Sequence, residues 1–175
     1  TVYGVGAIAW DAVAVGKLYT AKLRPADRAI PILLADPEEL LLVARDPSSL
    51  ILQIAARFWP GPLTLVLPRS PRVPDEVTAG GDTVAVRIPD HALARALIRA
   101  AGAPLATTSA NLSGQPSPVT AADVTAQLSD RVALILDGGP CPGGVPSTIV
   151  DLAGATPRLL RAGPITLEQI SAAML

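Results

Sequence analysis

The sequence predicts a single-domain α/β fold, a twisted mixed β-sheet with helices packed on it, and three observations carry that expectation. The 175 residues fit one ordinary domain, so residues 1–175 read as one unit. Half of them are apolar and 17% are charged, enough to bury a sizeable core and too few charges for a disordered chain. Strand-like and helix-like segments alternate along most of the length. Two late strands are separated by only a short turn, which demands antiparallel pairing inside an otherwise helix-connected sheet.

The elements follow in order. Thr1 runs almost at once into Tyr3-Gly4, so if Val2-Tyr3 ends a strand, the N-terminal strand is truncated. Asp11 caps a helix to about Lys22, halted by Pro25, because the residue before a proline is pushed out of the helical region. Residues 30–34 read as a buried strand. Asp36-Pro37-Glu38-Glu39 starts a helix with proline and acids in its first turn, and another helix covers 47–59 and stops at Pro60-Gly61-Pro62. Residues 63–67 and 83–88 are the next strands, joined through Pro71, Pro74 and Gly80-Gly81. Asp90 opens a helix to about Ala101, 104–107 form a short strand, and a polar loop over 108–118 precedes a helix capped by Thr120. Residues 132–136 read as a strand and 137–144 as a glycine-rich connection. The late pair is 147–152 with 157–161, and Thr166-x-x-Gln169 is a capping box for a last helix.

Composition removes several function classes. Fourteen basic residues against fifteen acidic ones leave a formal charge of −1, so no whole-molecule field draws in nucleic acid or an anionic membrane, and any anion site is local. One cysteine, Cys141, and one histidine, His91, cannot build a zinc cluster or an internal disulfide. No run of about 18 apolar residues exists and no basic stretch precedes the apolar start, so a cytoplasmic chain without a membrane partner is expected.

Several fragments could carry chemistry. Gly4-x-Gly6-x-x-Ala9 fits a loose dinucleotide fingerprint, but the acid that should follow it lies among Arg24 and Arg28, and a structural turn between strand and helix explains the glycines better. In Lys22-Leu23-Arg24-Pro25 the proline holds Arg24 extended, so side chains two apart converge. Such a pair suits a polyphosphate, or else is a solvated cap of helix-terminal cations. Thr107-Thr108-Ser109-Ala110-Asn111, with Ser117 beyond, puts hydroxyls and an amide where a strand ends, the place open α/β sheets bind ligands; the alternative is a turn satisfying its own backbone. Ser147-Thr148 is a smaller case. Arg87 in the apolar run 83–88 needs an anion, either a substrate carboxylate or one of the chain's own acids such as Asp82 or Asp90, and Arg161 poses the same choice. Asp137 and Asp151 read as turn caps. His91 reads as a surface residue at a helix start and Cys141 as a loop residue.

Taken together, Thr1-Val-Tyr-Gly, Lys22-x-Arg24-Pro25, Trp59-Pro-Gly-Pro-Leu-Thr64, Thr83-Val-Ala-Val-Arg87-Ile-Pro89, Thr108-Ser-Ala-Asn111 and Ser147-Thr-Ile-Val-Asp151 resemble, in this order, the YrdC-like family. The resemblance implies a short, single-domain threonylcarbamoyl-AMP synthase. Such an enzyme joins L-threonine, bicarbonate or CO2 and ATP into threonylcarbamoyl-adenylate and pyrophosphate, for the N6-threonylcarbamoyladenosine of tRNA. It implies triphosphate binding and catalysis by Lys22 and Arg24. Further ATP contacts fall on Thr83, Ser109, Asn111, Ser117 and Arg161, and L-threonine contacts on Thr1, Arg87, Thr107 and Ser147. Mg2+ on the triphosphate is implied, with no protein metal site, and so is a downstream threonylcarbamoyl-transferase complex as partner. The family's proline-threonine pair and first strand ahead of Thr1 are absent, Leu33 stands where a histidine is often found, and Pro146 where a glutamate commonly precedes the serine. Two other readings remain at this point: a module that binds tRNA or double-stranded RNA without chemistry, and a carbamoyl-adenylate-forming domain of hydrogenase maturation.

Overall fold

The computed structural model describes residues 1–141 and 145–174. Seven strands form one sheet: β1 (Gly4–Ile8), β2 (Ile32–Leu33), β3 (Leu63–Pro68), β4 (Thr83–Arg87), β5 (Leu105–Ser109), β6 (Thr148–Asp151) and β7 (Arg158–Arg161). Their order is β1-β5-β2-β4-β3-β6-β7. The pairs β2·β4 and β3·β6 are parallel and the rest antiparallel, so the sheet is mixed as expected. The helices are α1 (Ala12–Lys22), α2 (Leu40–Val43), α3 (Ser49–Phe58), α4 (Asp75–Thr78), α5 (Ala92–Ala101), α6 (Ala121–Leu128) and α7 (Leu167–Ala172).

Local chemistry sets most of these bounds. Asp11 caps α1 by accepting from the Ala14 amide at 2.9 Å. Capping boxes at Thr120/Asp123 and Thr166/Gln169 start α6 and α7. His91, expected as a surface residue at a helix start, is exposed and caps α5 in place of Asp90, its Nδ1 accepting from the Ala94 amide. Asp137 and Asp151 cap turns as expected, at Gly139 N and Ala153 N.

Side-chain alternation gives the sheet two unlike faces. Ile32, Leu65, Val84, Val86, Ala106 and Val150 point into the main core with Leu63, Leu67, Ile54, Val15 and Trp59. The opposite face carries Ile8, Leu33, Thr83, Ala85, Arg87, Leu105 and Thr107, none of them fully buried. This open face holds the site.

Three expectations fail. The strand thought to end at Tyr3 is Gly4–Ile8, fully paired with β5. Its glycines therefore form neither a dinucleotide loop nor a turn. A Cβ on Gly4 would come within 2.8 Å of Thr107 Cγ2, and one on Gly6 within 2.8 Å of Thr107 Oγ1, so both are glycine to let the Thr107 side chain lie across β1. Residues 132–136 form no strand: Leu134 is 71% exposed, while Val132 and Ile135, three apart, pack onto the small cluster of Ala110, Val124 and Leu128. An apolar run at spacing three is a surface strap, not a pleated strand. The strand expected at 30–34 pairs over only Ile32–Leu33, because proline at 31 has no amide hydrogen to donate. Of the connection expected over 137–144, residues 142–144 lie outside the described residues.

Candidate functional site

The amino-acid end of the site begins with Trp59-Pro60-Gly61-Pro62. The Trp59 Nε1 donates to the Leu63 carbonyl at 2.7 Å, and the Gly61 amide donates to Ile88 O at 2.9 Å, which ties this turn to the end of β4. Gly61 has no room for a side chain, since a Cβ there would strike the Phe58 carbonyl. So placed, its own carbonyl accepts from Arg87 Nε at 2.8 Å, while Arg87 Nη1 donates to Thr1 Oγ1 at 3.2 Å. Burial and the nearby Arg161 push the Arg87 guanidinium down to about 10, so it stays charged near neutral pH.

Arg161 reaches the same face from β7, on the cross-strand row that runs through Ile149 and Thr64 to Arg87. Its Nε donates to Ser147 O at 2.9 Å and its Nη2 to Ser147 Oγ at 3.0 Å. Ser147 Oγ is also 2.7 Å from Thr64 Oγ1 on β3. Burial lowers the Arg161 pKa as well. Among the described residues no carboxylate lies within 4.0 Å of Arg87 or Arg161, so the salt bridge to Asp82 or Asp90 that the sequence allowed does not form. Arg87, partly buried, and the more exposed Arg161, whose charge reaches it, surround the hydroxyls of Thr1, Thr64 and Ser147 with no acid in contact and only the more distant charge of Asp90 opposing them, a grouping that can take an anion.

Four residues further along β4 and β5, on one cross-strand row about 13 Å away, stand Thr83 and Ser109. Thr107 lies on the row between the two ends, with its amide bonded to Pro31 O at 2.7 Å. The open face thus has two poles. Thr1, Arg87 and Ser147 gather at one, Thr83 and Ser109 at the other, and Arg161 stands at the first although it was expected among the nucleotide contacts. Leu33 occupies the first pole's row between Leu105 and Arg87, where it offers no hydrogen bond. Thr64, named in the sequence only as the end of a motif, belongs to this pole too. Its signal was a lone hydroxyl inside the apolar strand Leu63-Thr-Leu-Val-Leu67.

Lys22 closes the second pole. It extends the buried stripe of Val15 and Leu18 on α1 and is 2% exposed. Its Nζ donates to Ser109 O, to Asn111 O and, at 3.4 Å, to Asn111 Oδ1. Burial first, and Arg24 second, lower its pKa to about 8. The charge of Arg24 reaches Lys22, but the segment between them is not extended and the two side chains bond different groups: Leu23 takes the left-handed conformation (φ 53°) and folds Arg24 back. Arg24 donates to Arg28 O at 3.0 Å and Ala29 O at 2.8 Å, which leaves three of its five N–H donors unengaged. The Asn111 amide nitrogen is used within its own loop, bonding Leu112 O and Gln115 O at 2.9 and 2.7 Å. Ser117 is exposed beyond that loop.

A family model for Sua5, YciO and YrdC proteins, described as telomere recombination, matches residues 1–163. The threonylcarbamoyl-AMP synthase of Bacillus subtilis strain 168 is 49% identical over 173 residues, 98% of this chain and 50% of the relative. That of Pyrococcus abyssi is 47% identical over 170 residues, 97% of this chain and again 50% of the relative. The crystal structure of P. abyssi Sua5 complexed with L-threonine superposes with a TM-score of 0.95 at 46% identity, covering 99% of this chain and 51% of that one. The chain spans about half the length of these relatives. No helix among the described residues is long and apolar enough to cross a membrane.

Proposed function

Since the chain belongs to the Sua5/YciO/YrdC family, we propose that it carries the synthase chemistry itself: L-threonine, bicarbonate or CO2 and ATP become threonylcarbamoyl-adenylate and pyrophosphate. The observation that supports this most is the pair Arg87 and Arg161, with no acid among the described residues in contact with either, beside three hydroxyls, a socket for a small carboxylate bearing hydrogen-bonding groups. Arg87 holds the threonine carboxylate, with Thr1 and Ser147 orienting the rest and Thr107 facing it across β2. At the other pole Arg24 and the positive charge of Lys22 neutralise the triphosphate, and Thr83, Ser109, Asn111 and Ser117 border the nucleotide. Arg161 serves either substrate at the boundary.

No side chain needs to become a nucleophile. The threonine amine adds to CO2 and loses a proton, giving a carbamate. A carbamate oxygen then attacks the α-phosphorus as the bond to the β-phosphate oxygen breaks and pyrophosphate departs. Alignment and charge neutralisation supply the acceleration. The described residues contain no group of three or more His, Cys, Asp or Glu that could hold a metal. A magnesium ion would be held by triphosphate oxygens and water, and no step here runs through it. The adenylate is then handed to the complex that modifies tRNA in the cytoplasm.

Pyrophosphate release from ATP tests the reading. It is expected only when L-threonine and bicarbonate are both present, and Arg87→Ala should cut kcat/KM for threonine by roughly 100-fold, because truncation leaves a carboxylate unpaired in a desolvated site. Release that ignores threonine would refute it.

A further inference from the structure

We propose that Thr64 is a positioning residue for the amino-acid substrate, acting through Ser147; the inference rests on the function proposed above. Thr64 is 2% and Ser147 5% exposed, and their hydroxyl oxygens are 2.7 Å apart with either able to donate. Each hydroxyl has one hydrogen and two acceptor sites. Ser147 Oγ already accepts from Arg161 Nη2 at 3.0 Å. Among the described residues Thr64 Oγ1 has no partner except Ser147. Whichever hydroxyl donates, the other's hydrogen has no partner among the described residues, and leaving it on Thr64, the more deeply buried of the two, puts the unmade bond where a ligand is less able to relieve it. Thr64 is taken as the donor. Ser147 Oγ then accepts two hydrogen bonds, from Thr64 and Arg161, and its own proton is the one left over. That proton is available to a substrate oxygen bound beside Arg161 and Ser147.

The hydroxyl of Thr64 thus fixes the direction of a donor it does not itself present. Valine keeps the branched shape of threonine, so Thr64→Val removes the O–H group at nearly constant volume, and Thr64→Ser keeps it. Without Thr64 as donor, Ser147 is free to rotate and must be reordered by each incoming substrate.

The test is calorimetric titration of L-threonine into the full chain, paired with steady-state kinetics in both substrates. Thr64→Val is expected to weaken threonine binding and raise its KM about tenfold, with the KM for ATP unchanged, and Thr64→Ser to stay within about twofold of the parent. In a Ser147→Ala background, Thr64→Val should add no further loss. Threonine binding that survives Thr64→Val overturns the proposal alone, and so do additive losses in the double variant. A parent chain that does not bind L-threonine overturns the proposed function and this inference with it. Should Thr64→Val fail to fold, Thr64→Ala carries the same expectations and the same refutations.

Discussion

Lys22, at the end of an apolar helix stripe, gives its ammonium hydrogens to the carbonyl of Ser109, the last residue of β5, and to two oxygens of Asn111 in the loop that follows. Its charge is held where water cannot reach it, and its pKa falls from 10.5 to about 8 because burial disfavours the protonated form. The sign for stability follows from proton counting. Between pH 8 and 10.5 the unfolded chain keeps this proton while the folded chain has lost it, so stability rises with pH across that window. Lys22→Met retains much of the apolar stem but nothing to titrate. Urea midpoints of parent and variant at pH 7.5, 9 and 10 should diverge in the parent's favour as pH rises, with tyrosine ionisation cancelling in the difference. Parallel midpoints would mean that the ammonium is solvated.

At the scale of elements, β1 and β5 show how the sheet makes room for a functional side chain. Thr107 lies over two glycines of the facing strand, with its Cγ2 against one and its Oγ1 against the other. Its Cβ carries two heavy branches and one hydrogen, so no χ1 rotamer clears both positions. Gly6→Ala must therefore turn Thr107 out of its present rotamer, push it away or part the strands. It is expected to cost about 1–3 kcal/mol in chemical unfolding and to raise the KM for L-threonine. In a Thr107→Ala background most of the stability cost should vanish, since the clash partner is gone. A Gly6→Ala cost unchanged by Thr107→Ala would place the strain in the strand backbone instead. The sequence displayed these glycines but not their purpose, because a glycine in a strand that opposes a hydroxyl two strands from the site looks, along one dimension, like a turn.

For the whole molecule, what the sequence made legible was what short range decides: caps at Asp11, Thr120 and Thr166, breaks at Pro25 and Pro60-Gly61-Pro62, and the late antiparallel pair. The strand order was not legible, since β5 inserts between β1 and β2 through pairings such as Gly4 with Ser109 and Ile32 with Ala106, far apart along the chain. Residues 132–136 misled because an apolar run has the same letters whether it enters a sheet or straps a helix. The residues expected at the site were readable as motifs, yet their arrangement along the open face depended on that strand order, and Arg161 lies beside Ser147 because β7 pairs with β6. The same topology makes a global prediction. The amino-acid pole is built from residues 1, 61, 64, 87, 147 and 161, so a molecule bound there touches segments from both ends of the chain and should hold the fold as one unit. Binding to the folded state alone at a hundred times Kd adds about 2.7 kcal/mol, which for a chain of this length raises the midpoint by roughly 5–10 °C. Scanning calorimetry with saturating L-threonine should show one transition moved upward by that amount, and Arg87→Ala should show none of the shift. A transition that splits, with only part of the heat absorption moving, would mean that the strands bearing the pole unfold separately from the rest.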